Sequence, residues 1–194
     1  MSQPFLDVRV CHLLLMADRE LAAETRGEGC TCGGTLHSAR YRRKVRGKPP
    51  ADLSEEYFWR ESLCCAREGC RRRATPPSLR FLGRRQYLGA VVVLLSAMTA
   101  GVTAKRAAVL REQVGVSLRT LQRWRAWWLR ALPRTAFWRG ARAGFMPPID
   151  VSQLPTSLLE CFARNAGHAL DLALERCLRF LAPITISDGC AMAI

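Results

Sequence analysis

Cysteine is the residue type with the most chemistry to offer in this chain. Nine are present: Cys11, Cys30, Cys32, Cys64, Cys65, Cys70, Cys161, Cys177 and Cys190. The odd number and the 194-residue length argue against a disulfide framework of the small secreted kind. Five of the nine fall between positions 30 and 70, and such clustering points to metal. A zinc ion takes four soft or borderline ligands in a tetrahedron, usually as two close pairs from two turns. Cys30-Thr-Cys32 supplies one pair and Cys65-x4-Cys70 the other. Cys32-Gly33-Gly34 has the form of a zinc knuckle, where glycine lets backbone amides turn towards thiolates. The expected site is one zinc ion on Cys30, Cys32, Cys65 and Cys70. Cys64 can stand in for Cys65, and His37 is a spare nitrogen ligand. Cys161, Cys177 and His168 sit in apolar helical stretches and read as core.

A second group of residues has the chemistry to read DNA. Gly115 permits a left-handed turn, Val116 can plug a core, and Ser117 is a natural helix N-cap. In the helix that follows, Leu121 and Trp124 share one face, with Leu118 or Trp128 extending it. Arg119, Thr120, Gln122 and Arg123 are expected on the exposed side near the N-terminus. Arg pairs bidentately with guanine and Gln with adenine, while Ser117 and Thr120 can reach phosphates at a helix N-terminus. A helix ending at Gly115 would complete a helix-turn-helix. Trp124, Trp127, Trp128 and Trp138 read as core rather than as a stacking platform.

The charge supports this partner. The chain holds 30 Lys+Arg against 16 Asp+Glu, a formal charge of +14. Between Arg71 and Arg142 lie sixteen basic residues and a single acid, Glu112; the remainder of the chain is close to neutral. Arginine-rich coding explains the scarcity of Lys, but not the near-absence of acids from one segment. Such a field attracts polyanions and gives salt-dependent affinity.

These groups need elements to position them. Phe5 to Thr25 reads as an amphipathic helix carrying Leu6, Val10, Leu13, Leu14 and Leu21 on one face. A Gly-rich stretch, Arg26 to Gly34, follows, then a basic tract from Arg40 to Lys48. Tyr57 to Leu63 reads as a short strand. Leu82 to Ala100 and Thr103 to Gln113 read as helices, and a third runs from Ser117 to about Leu132, before Pro133. Helices near Pro155–Arg164 and Ala169–Leu181 close the chain. The fold class is therefore mainly α with a small β zinc-ribbon-like insert and a helix-turn-helix core. The implied domains are 1–27, 28–77, 78–142 and 143–194. The longest apolar run, Leu88 to Met98, is shorter than the ~20 residues a membrane span requires, so it reads as buried core. Asp7, Arg9 and Asp18 interrupt any secretory signal, so a cytoplasmic location is expected, and a DNA partner would make it nucleoid-associated.

A Cys-Gly-Gly knuckle, a second cysteine pair followed by arginines, and Gly-Val-Ser-x-Arg-Thr-Leu-x-Arg-Trp together resemble the DNA-recognition region of bacterial insertion-sequence transposases and their small accessory proteins. The likeness covers about residues 28–132. It implies zinc on Cys30, Cys32, Cys65 and Cys70, and a recognition helix starting at Ser117. Strand transfer in such systems uses three carboxylates and two divalent ions on a ribonuclease-like core. The fifty or so residues beyond the expected helix-turn-helix are too few for that core. The expectation is a non-catalytic, sequence-specific DNA-binding protein acting with a separate transposase or integrase subunit, or as a transcriptional regulator. A competing reading is a protein-interaction adaptor or homo-oligomer using the leucine-rich surface between Leu154 and Leu181. A metal-dependent hydrolase ranks last, because no paired carboxylates or His-rich group support it.

Overall fold

The fold is given by a computed structural model that describes residues 7–45, 49–82, 88–100, 108, 115–167 and 169–186. Helix α1 spans Val8–Glu28, and Asp7 caps it by accepting from the Arg9 amide at 2.8 Å. The chain then builds short strands β1 (Leu36–Ser38), β2 (Tyr41–Arg42), β3 (Trp59–Arg60), β4 (Leu63–Cys65) and β5 (Arg73–Ala74). These form an antiparallel three-stranded sheet in the order β1-β4-β5 and a separate antiparallel pair, β2-β3. Helices α2 (Gly89–Ala100), α3 (Leu118–Ala126), α4 (Ala136–Ala141), α5 (Thr156–Arg164) and α6 (Leu170–Leu181) follow. The chain is thus mainly helical with a small antiparallel sheet. No described helix is long and apolar enough to cross a membrane.

The helices share one core. Leu14 of α1, Val92 of α2, Trp124 of α3, Leu158 of α5 and Leu178 of α6 belong to the same buried cluster. Helix α6 packs on α1, α2 and α5, so segments distant in sequence close around the apolar α2. That helix is buried at Ala90–Val93 and Leu95, as its uninterrupted apolar run requires. The leucines offered above as an adaptor surface are used inside: Leu158, Leu174, Leu178 and Leu181 are buried, while Leu170 and Leu172 stay exposed.

Several boundaries differ from expectation for local reasons. The buried face of α1 carries Cys11, Leu14, Leu15, Asp18 and Ala22; Leu13 falls off it and is exposed. Tyr57 to Leu63 is not one strand. Ser54 accepts from the Glu56 amide and starts a 3-10 turn at Glu55–Phe58, so β3 begins only at Trp59. Helix α2 starts at Gly89 rather than Leu82. Phe81 and Leu88 form an antiparallel bridge, and the Gly89 amide donates to Arg80 O at 2.7 Å. Beyond α3 the helix widens to a π turn at Trp127–Ala131, where the adjacent Trp127 and Trp128 are both buried, then tightens to 3-10 at Leu132–Arg134. The helix expected over Thr103–Gln113 lies outside the described residues, apart from Ala108.

The sheet region is fixed to α1 by a buried polar network. Asp18 accepts from Ser78 Oγ at 2.6 Å, the Leu79 amide at 2.6 Å and Arg80 Nε at 2.8 Å. The Arg80 guanidinium also donates to Tyr57 O at 2.6 Å and Trp59 O at 2.9 Å. Asp18 and Arg80 are fully buried, so every one of these bonds offsets desolvation.

Candidate metal centre and nucleic-acid interface

The first knuckle begins where α1 stops. The Gly29 amide donates back to Arg26 O at 3.2 Å and turns the chain out of the helix. Cys30 and Gly34 then close a tight loop: Cys30 N donates to Gly34 O at 3.0 Å, and Gly33 N to Cys30 O at 2.7 Å. Gly33 takes φ +79°, in the left-handed region. Gly34 has a steric role: a Cβ there would lie 2.7 Å from Cys65 Sγ. The second pair comes from the end of β4 and the turn after it. Cys65 N donates to Arg72 O at 2.9 Å, and Cys70 N to Arg67 O at 3.1 Å, closing the loop between the two cysteines.

These turns bring the four predicted thiols together. The Sγ atoms of Cys30, Cys32, Cys65 and Cys70 all lie within 4.8 Å of one another. Cys30 and Cys70 are 3.9 Å apart, and Cys32 and Cys65 3.5 Å. Four Zn–S bonds of about 2.3 Å in a tetrahedron separate the sulfurs by about 3.8 Å, so the geometry is compatible with one zinc ion. A disulfide, at about 2.05 Å, is not what this spacing describes.

Backbone amides support the thiolates. The Gly34 amide, with the neighbouring thiols of Cys70 and Cys65, lowers the Cys32 pKa to about 6. At Cys65 the Arg67 amide, 3.4 Å from Sγ, acts in the same direction. Burial and the adjacent thiols outweigh it and push that thiol up to about 12.

Neither spare ligand joins the cluster. Cys64 alternates to the other face of β4, where its Sγ lies 3.7 Å from Arg71 O. His37 pairs with Cys64 across the sheet, and its Nε2 lies 3.5 Å from Thr35 Oγ1. Cys161 and Cys177 are buried core thiols, and burial raises the Cys177 pKa well above the ordinary range. His168 lies outside the described residues.

The predicted DNA-contacting residues are ordered around the N-terminus of α3. Gly115 has φ +69°, Val116 is buried, and Ser117 Oγ accepts from the Thr120 amide at 3.2 Å. Arg119, Gln122 and Arg123 are exposed, as is Ser117. Thr120 corrects the expectation: it is only 4% exposed. It lies on the inner stripe with Leu121, Trp124, Trp127 and Trp128, all buried. Its hydroxyl is taken up by Ser117 Oγ at 3.0 Å, with Arg123 Nη2 at 3.4 Å. Leu118 is 54% exposed, so Trp128 rather than Leu118 extends the apolar face. Trp124, Trp127, Trp128 and Trp138 are buried, as core residues should be.

Two features of the structure were not expected from the sequence. The Asp18–Arg80 pair was signalled by an acid set among apolar residues on one face of α1. Arg71 is a non-glycine residue with positive φ, +46°, and carried no signal beyond its place after a cysteine. No protein family matches the chain, and no curated protein or solved structure shows significant similarity to it.

Proposed function

We propose that the protein is a sequence-specific binder of double-stranded DNA, reading base edges with Arg119, Gln122 and Arg123 from the first turns of α3. Ser117 would cap that helix and meet a phosphate at its N-terminus. Thr120 has no part in this, because its hydroxyl is buried in the capping turn. One zinc ion on Cys30, Cys32, Cys65 and Cys70 would hold the sheet region in shape and take no part in chemistry. In keeping with the resemblance to insertion-sequence proteins, strand transfer would belong to a separate transposase subunit, with this chain supplying recognition.

The observation that carries the reading is the asymmetry of α3. Its inner stripe is apolar and buried. Its outer face presents three arginines, Arg119, Arg123 and Arg125, and Gln122, with no acid anywhere in the helix. A helix merely solvated on its outer face has no need of such a one-signed surface. Arg119→Ala and Arg123→Ala are each expected to weaken binding to a preferred duplex by about 1–3 kcal/mol, with a smaller loss on random duplex. Equal losses on both duplexes would assign these arginines to phosphates. Unchanged binding on both would overturn the proposal.

A further inference from the structure

The two knuckles differ in length, but in each the residue that follows the second cysteine has a positive φ. After Cys32, the residue in left-handed conformation is Gly33; after Cys70, it is Arg71, at φ +46°. An L-residue with a long side chain is strained there, and glycine is the residue that avoids the strain. Backbone strain of this kind persists where the surrounding structure over-determines it and clusters at binding sites. The Arg71 side chain is exposed and makes no ion pair or hydrogen bond among the described residues.

Three further arginines belong to the second cysteine pair or follow it closely. Arg67 Nη1 donates to Cys32 O at 2.7 Å, and Arg72 Nη1 to Thr31 Oγ1 at 2.6 Å. Both guanidinium groups are thereby held against the first knuckle. Arg73, exposed on β5, pairs with Cys64 across the sheet. Glu68 is the one carboxylate in the loop between Cys65 and Cys70, and it is exposed with no ion pair among the described residues. Four thiolates around a divalent ion carry a charge of roughly −2. Arg67 and Arg72, bonded to the first knuckle, would offset that charge. Arg71 and Arg73 are left as cations that the centre does not need.

We propose that Arg71, with Arg73 beside it, forms a phosphate clamp that grips the nucleic-acid backbone at the second knuckle. This rests on the DNA-binding reading above and adds a second, sequence-independent contact to it. Guanidinium groups suit phosphate because their fork of donors matches its oxygens. The contact fixes position and carries no sequence information.

The test uses the full zinc-loaded chain, a short random-sequence duplex and the variants Arg71→Gly and Arg73→Gln. Arg71→Gly is expected to leave the thermal midpoint unchanged or raised, since it removes strain. Its affinity for random duplex should fall about threefold to tenfold, and the slope of log affinity against log salt should shrink by about 1. Arg73→Gln should lower affinity and slope in the same way, and neither variant should alter preference among sequences. Unchanged affinity and slope in both variants would overturn the clamp, as would a lowered midpoint in Arg71→Gly with unchanged affinity. The two proposals fail separately. A chain with no preferred sequence still reports the clamp on random duplex. A clamp that fails leaves the preferential loss in Arg119→Ala intact.

Discussion

The sheet region and the helical body solve the same problem with different materials. The helical body closes on a continuous core to which all six described α-helices contribute Leu, Val or Trp side chains. The sheet region buries only Leu36, Leu63 and Cys65 in a cluster of its own, ringed by Cys30, Cys32, Cys70 and Ala74. So small a core cannot offset the ordering of three short strands and two cysteine turns. What remains to hold them is the convergence of four thiols and the Asp18–Arg80 network below. The comparison teaches that the helical body should be stable through burial, and the sheet region through ligation.

Removing metal is the largest perturbation of that contrast. Structural zinc contributes about 10–16 kcal/mol of apparent binding free energy in small domains. A strong chelator should therefore collapse hydrogen-exchange protection over residues 30–74 and leave helical circular dichroism nearly intact. Metal analysis beforehand should return one zinc per chain. No metal, or no change with chelator, would break the contrast.

Asp18→Ala comes next. It leaves the Arg80 guanidinium buried without its carboxylate, a change that costs about 3–5 kcal/mol in comparable pairs. Because the network joins α1 to Tyr57, Trp59 and Ser78, loss of protection should reach both regions in denaturant unfolding followed by hydrogen exchange. A loss confined to the sheet region would show that α1 does not depend on the joint. Ser117→Ala is the smallest. Removing the cap should cost about 0.5–2 kcal/mol of helical stability and leave zinc content untouched.

The cysteine centre was legible because close pairs and adjacent glycines are local signals, and metal geometry then leaves little freedom. That Cys65 rather than Cys64 joins the thiol cluster follows from strand alternation, and so it needed the register of β4. Helices α5 and α6 were legible from their periodicity. The start of α2 was not, because the bridge from Phe81 to Leu88 and the Arg80 carbonyl that receives the Gly89 amide come from tertiary context. Thr120 was misplaced for a similar reason. A threonine three residues after a serine cap can turn its hydroxyl back to the cap, and residue type alone does not announce it. Arg71 was invisible because backbone conformation is not written in composition.

The central claim is that α3 reads DNA sequence. Its most direct test is selection of bound duplexes from a random pool by the full zinc-loaded chain at moderate salt, followed by sequencing. An enriched motif is expected, with its recovery falling sharply in Arg119→Ala. Retention of DNA with no enriched motif, or no retention at all, would contradict it.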